Sequence, residues 1–232
     1  MLRELMSLFR SNDAIAEMGE NFSAMLDLAH ELTLSAGTFF FEEGGTPDAR
    51  TTISRRDVEL NKLQRRIRKQ VIAHLSLGDG QKDAPYCLLL MSLVKDVERI
   101  GDYCKNIVEL YDEGGGPIPD DDNGAELREI RTAVEETFDA AGEVFRESET
   151  EGAMDLMRRG RELNRRCDLL VSRAARSSYD APTTTTMVLG ARYYKRIQSH
   201  LMNILSGVVM PLHKLDYYDE RALPEGVEEE QA

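Results

Sequence analysis

Asp83-Ala84-Pro85 recurs as Asp180-Ala181-Pro182, 97 positions further on, and that recurrence narrows what the chain can fold into. The same shift carries Arg99-Ile100 onto Arg196-Ile197 and Asn106-Ile107 onto Asn203-Ile204. Upstream, Arg56-Asp57-Val58-Glu59-Leu60-Asn61-Lys62 answers Arg159-Gly160-Arg161-Glu162-Leu163-Asn164-Arg165 at a shift of 103. The six-residue difference falls in the connection before the Asp-Ala-Pro turn, where Gly78 to Lys82 is the extra material. The two halves therefore read as two copies of one unit.

The stretch from Pro85 to Tyr111 shows what that unit is made of. Leu93, Val97, Ile100, Cys104, Ile107 and Tyr111 recur at spacings of three and four, the seam an α-helix turns towards partner helices. Asp83 is placed to cap this helix, with Pro85 in its first turn. Before it, Ser11-Asn12-Asp13 offers cap oxygens for a helix running to Glu43. That helix carries Ile15, Met18, Phe22, Met25, Leu26, Ala29, Leu32 and Leu34 inward and stops at Gly44-Gly45. A second helix runs from Pro47-Asp48 to about Leu77, with Ile53, Leu60, Leu63, Ile67 and His74 on its inner face, and breaks at Gly78-Asp79-Gly80. In the other half, Leu127, Ile130, Val134, Phe138, Ala141 and Phe145 share one face of a fourth helix, which breaks between Glu149 and Gly152. A fifth runs from about Ala153 to Ser178. A sixth starts at Asp180 and carries Tyr194, Ile197, Leu201, Ile204 and Val208, with Pro211 bending or fraying its end. No run alternates with period two. The expectation is an all-α chain of two tandem three-helix bundles, six long helices in all. The bundles occupy residues 11–112 and 123–218, joined by the polar, Gly- and Pro-rich stretch 112–124. Residues 219–232 read as an acidic disordered tail. Residues 1–10 read as a short amphipathic lead-in that packs on the body.

Composition limits function. The net charge is -13, which repels phosphate backbones, so direct nucleic-acid binding is not expected. Arg158, Arg159, Arg161, Arg165 and Arg166 lie among acids and read as a solvated face. Cys87, Cys104 and Cys167 are scattered, without a CxxC, and suit a reducing cytoplasm as small core residues. Arg3, Glu4, Arg10 and Asp13 interrupt the apolar N-terminus, so no signal peptide is expected. The longest apolar run, Tyr86 to Val94, is too short to span a bilayer. The histidines His30, His74, His200 and His213 are dispersed and form neither HExxH nor Glu-x-x-His. Tyr193-Tyr194 and Tyr217-Tyr218 read as packing residues, and His74 as a satisfied core-edge residue.

Chemistry points to one stripe. Glu98, Asp102 and Asn106 follow one another at four residues, beside the seam of the third helix. Asp57 and Asn61 form a like pair on the second helix. Facing stripes of oxygen donors favour cations such as Mg, Mn, Ca and Fe. The bland alternative is an ordinary polar stripe paired with Arg99, Lys95 or Lys62. Under the repeat, Asp57, Glu98 and Asp102 correspond to Gly160, Lys195 and Ser199. All three candidate acids are absent from the second half, so a metal is expected in the first repeat only.

At Val97-Glu98-Arg99-Ile100-Gly101-Asp102-Tyr103-Cys104-Lys105-Asn106-Ile107 the chain resembles the PhoU family, over residues 11 to 215. The resemblance implies a cytoplasmic, non-enzymatic regulator of phosphate uptake and signalling. Its implied partners are a phosphate transporter and its sensor histidine kinase at the inner membrane face. It also implies metal clusters held by paired E/DxxxD-type motifs. Glu98 and Asp102 match one motif; Asp57 with Asn61 matches its partner less fully. The implied metal is a divalent or ferric ion, such as Fe, Mn, Mg or Zn. Lys195 and Ser199 depart from the pattern. A homodimer is compatible with this reading. Two alternatives stay open: an oxygen-ligated metalloenzyme and a metal-free helical adaptor.

Overall fold

A computed structural model describes residues 13–42, 47–76, 80–113 and 115–216. Among them are six long helices and no strand: α1 (Asp13–Phe41), α2 (Pro47–Ser76), α3 (Ala84–Asp112), α4 (Asp122–Glu147), α5 (Thr150–Ala175) and α6 (Ala181–Val209). Short 3-10 turns occupy Gly80–Asp83 and Leu212–Lys214. The lead-in 1–10, Ser11-Asn12, Glu43, Gly44-Gly45, Leu77, Gly78-Asp79, Gly114, Tyr217-Tyr218 and the tail 219–232 lie outside the described residues. No described helix is long and apolar enough to cross a membrane.

The seam of α3 is buried as its spacing requires: Leu93, Val97, Ile100 and Cys104 are 0 % exposed. Each such aliphatic side chain contributes about 1.5–3 kcal/mol on burial. Two positions depart from the periodicity. Tyr111 is 42 % exposed and lies edge-on to Phe39, while Leu110 in the same turn is buried. Leu34 also faces solvent, and Ala36 is buried instead, since the spacing two residues on fits the contact face better. The fifth helix starts and ends three residues earlier than the spacing predicts. Ser148, left-handed at φ 53, makes the break after α4, and Thr150 already lies in α5.

The turn into α3 differs from its repeat copy. Asp180 caps α6, its Oδ1 accepting from the Thr183 N–H at 2.9 Å. Asp83 makes no such side-chain bond to α3. It is fully buried and its Oδ2 lies 2.6 Å from His74 Nε2. The cause lies in the six extra residues. From Asn61 to the end of α2 is four residues longer than from Asn164 to the end of α5, so most of the extra material is another turn of α2. That turn carries His74, which takes the carboxylate that would otherwise cap the helix.

Helices α1, α2 and α3 pack on one another, as do α4, α5 and α6. The linker marks the repeat boundary, yet the buried apolar residues of both units form one continuous core. The units join first helix to first helix, α1 on α4, and third to third, α3 on α6; α2 and α5 pack chiefly within their own units. The α3–α6 contact is antiparallel and shows the repeat as a pseudo-two-fold axis. Asp96 and His200 meet across it, Nδ1 to Oδ1 at 2.7 Å, with Asn203 donating to the same oxygen at 3.0 Å. Their repeat counterparts, Tyr193 and Tyr103, meet on the other side with ring centroids 6.1 Å apart. Tyr103 also stacks on His200, its own counterpart, at 5.8 Å.

Candidate functional site

The groove between α2 and α3 holds the four residues singled out in the sequence. Asp57 and Asn61 stand one turn apart on α2, and the Asn61 amide donates to Asp57 Oδ2 at 3.4 Å. The two helices approach closely here because Gly101 has no side chain: a Cβ there would meet Leu60 Cδ2 at 2.5 Å and Asp57 Oδ1 at 3.5 Å. Asp57 thus lies against the α3 backbone at Gly101, next to Asp102 and one turn from Glu98. Burial raises the Asp57 carboxyl above its ordinary range, and Asp102 and Glu109 raise it further, against the pull of Lys105. Burial raises Glu98 too, with Asp102 and Asp57 adding to it and Arg99 and Arg68 opposing. The three carboxylates share one field, as facing stripes require.

They do not converge on one point. Arg99 reaches between its neighbours, Nη1 to Asp102 Oδ2 at 3.1 Å and Nε to Glu98 Oε2 at 3.8 Å. Among the described residues, no three His, Cys, Asp or Glu side chains are grouped so as to hold a metal ion. Of the other cations weighed against the stripe, Lys95 lies instead beside Asp96 and Asp216. Lys62 makes no ion pair among the described residues. The groove therefore holds acids set apart from one another, with one arginine clamped between Glu98 and Asp102.

Residues 15–111, which take in α2, α3 and nearly all of α1, match the PhoU domain. The first bundle is a PhoU domain. The fold of the chain extends the likeness across both bundles. The crystal structure of PhoU from Pseudomonas aeruginosa superposes with a TM-score of 0.75 at 18% identity, covering 87% of this chain and 98% of that one. That of the phosphate transport system regulatory protein PhoU from Streptococcus pneumoniae gives 0.73 at 15% identity, covering 84% and 92%. No curated protein matches the sequence.

Within this PhoU fold the second groove, between α5 and α6, is built differently. Gly160 stands where Asp57 stands in the first, and Gln198 where Gly101 stands. The small residue has changed helices. A Cβ on Gly160 would meet Gln198 Nε2 and Met202 Sδ, each at 2.5 Å, so the long side chains of α6 fill the space. Lys195 turns to Asp168, Nζ to Oδ2 at 2.6 Å, rather than into the groove. Ser199 donates to the Lys195 carbonyl at 2.9 Å and accepts from the Asn164 amide at 3.1 Å. The groove is packed and neutral at its floor. Reading the acids alone missed this exchange of Gly101 and Gly160. It also missed the Asp96–His200 joint. The exchange was legible, since the shifts of 97 and 103 align Gly101 with Gln198 and Asp57 with Gly160; the joint was not, since the shift sets Asp96 against Tyr193 and His200 against Tyr103.

Proposed function

We propose that this chain is a PhoU-type regulator of phosphate uptake and phosphate signalling. It acts by binding a phosphate transporter or that transporter's sensor kinase, at the cytoplasmic face of the membrane, and not by catalysis. The observation that carries the reading is the PhoU domain over residues 15–111, set in a fold shared along nearly the whole of a phosphate transport regulatory protein. The thiols support a non-catalytic role. Burial pushes Cys87 up to about 11, and Cys104 and Cys167 up to about 12, so all three are protonated at neutral pH and poor nucleophiles. Cross-linked pull-down from phosphate-replete cells tests the reading. Transporter or kinase peptides are expected in the eluate, and the absence of both overturns it.

The finer part of the proposal is a metal site. Asp57, Asn61, Glu98 and Asp102 would hold a divalent or ferric ion (Fe, Mn, Mg or Zn), whose charge would offset the burial and the mutual repulsion that raise Asp57 and Glu98. An ion there would supply a fixed positive centre to the α2–α3 groove. Asp102 would have to give up Arg99. That clamp favours a second reading, the metal-free adaptor, in which Arg99 already offsets the acids. Metal stoichiometry decides: metal on the wild type and none on Glu98→Ala/Asp102→Ala supports the site, and none on either supports the adaptor.

A further inference from the structure

Basic residues stand on the outer faces of both α2 and α5, and most of those on α5 are ion-paired while most of those on α2 are not. On α5, Arg158 and Arg159 both pair with Asp155, Arg165 with Glu162, and Arg166 with Glu126 and Glu129. On α2, Arg55, Lys62, Arg65, Arg66 and Lys69 are exposed, and none forms an ion pair among the described residues. Arg66 reaches only the Asn21 amide oxygen, at 3.4 Å. From Thr51 to Ser76, Glu59 is the one exposed acid of the helix. Two large aliphatics stand on the same outward stripe, Val58 at 48 % and Ile72 at 62 % exposed. At 1.5 Å of rise per residue, Lys62 to Lys69 spans about 10 Å, and the aliphatics bracket it about 21 Å apart.

We propose that this outer face of α2 docks on an anionic lipid surface. The stripe lies on the exposed face of a helix that packs chiefly within its own bundle. Four cations crowded between two aliphatics match a headgroup layer: the charges meet lipid phosphates, the methyls enter the interface, and the Lys and Arg stems lie along it. The molecule's net charge of -13 does not prevent this. At physiological ionic strength charges are screened over about 8 Å, so the acids on distant helices act weakly at the contact. Glu59, one turn before Lys62, is the exposed acid that borders the stripe on the helix itself. The inference is independent of the regulatory reading: either can fail alone.

Flotation of the purified full chain with protein-free vesicles tests it. Vesicles of phosphatidylcholine with phosphatidylglycerol are expected to retain about tenfold more protein than phosphatidylcholine alone, and added salt to abolish the difference. Lys62→Glu/Arg65→Glu/Arg66→Glu/Lys69→Glu removes retention. Ile72→Ser, a milder change that leaves every charge in place, reduces it. Arg158→Glu/Arg159→Glu, a charge reversal on the outer face of α5, leaves it unchanged, and circular dichroism shows all variants folded. Equal retention on both vesicle types, or full retention of the four-residue variant, overturns the proposal. So does retention by cell membranes but not by protein-free vesicles, which would name an acidic protein as the occupant.

Discussion

Burial lifts the Asp57 carboxyl, and Asp102 and Glu109 lift it further. An acid raised in this way holds its proton more tightly in the folded state. Its contribution to stability is fully present below the unfolded value, about 3.9 for Asp, and is lost as pH rises through the folded value. Asp57→Asn is therefore expected to change little in acid and to stabilise the metal-free protein at neutral pH. The gain is under about 1 kcal/mol, because solvent screens a half-exposed group. Urea titrations of both proteins across that range measure it, and a variant no more stable than the wild type at neutral pH contradicts it. The second groove makes a complementary case. Lys195→Glu with Ser199→Asp restores two acids, but Gly160 still supplies no ligand and Gln198 still fills the space beside it. This double variant is expected to take up no metal at the second groove. Metal stoichiometry checks it in the Glu98→Ala/Asp102→Ala background, where any bound ion must be a new one.

Between elements, the joint of α3 and α6 concentrates the cost of error. Asp96 is 0 % exposed and is the acceptor for both His200 and Asn203. Asp96→Ala leaves those two groups without a partner at a buried contact, at an expected loss of about 1–3 kcal/mol. A lower urea midpoint with an unchanged slope would show it; an unmoved midpoint would mean the joint contributes nothing. Periodicity made the six helices and most of their inner faces legible, because a 3-and-4 spacing of apolar residues leaves a helix one way to bury them. It failed at Tyr111 and Leu34, which lie off the buried face while Leu110 and Ala36 lie on it. It failed again at Asp83, read as a cap from the Asp-Ala-Pro turn alone. The competing partner, His74, is supplied by an extra turn of a different helix. For the candidate site, the sequence placed Asp57, Asn61, Glu98 and Asp102 on two neighbouring helices, and the structure sets them along one groove. It could not say that Arg99 would lie between Glu98 and Asp102, because rotamer choice in a half-exposed groove is set by neighbours that spacing does not encode.

For the whole molecule, the repeat explains why one fold carries two unlike faces. Scaffold positions such as Asn61 and Asn164, or Asn106 and Asn203, persist in both halves, while the acids persist in one. The scaffold is held by a core that crosses the linker, so neither unit need carry a site in order to fold. Such a chain can present one groove, and one basic ridge, to partners while the other half serves as its support. The central claim is that this presentation restrains phosphate uptake. The direct measurement is phosphate uptake and phosphate-starvation gene expression in cells grown in excess phosphate, with the gene present, deleted and restored. The account predicts that both rise on deletion and return on restoration. Uptake and expression that stay the same in all three strains would contradict it.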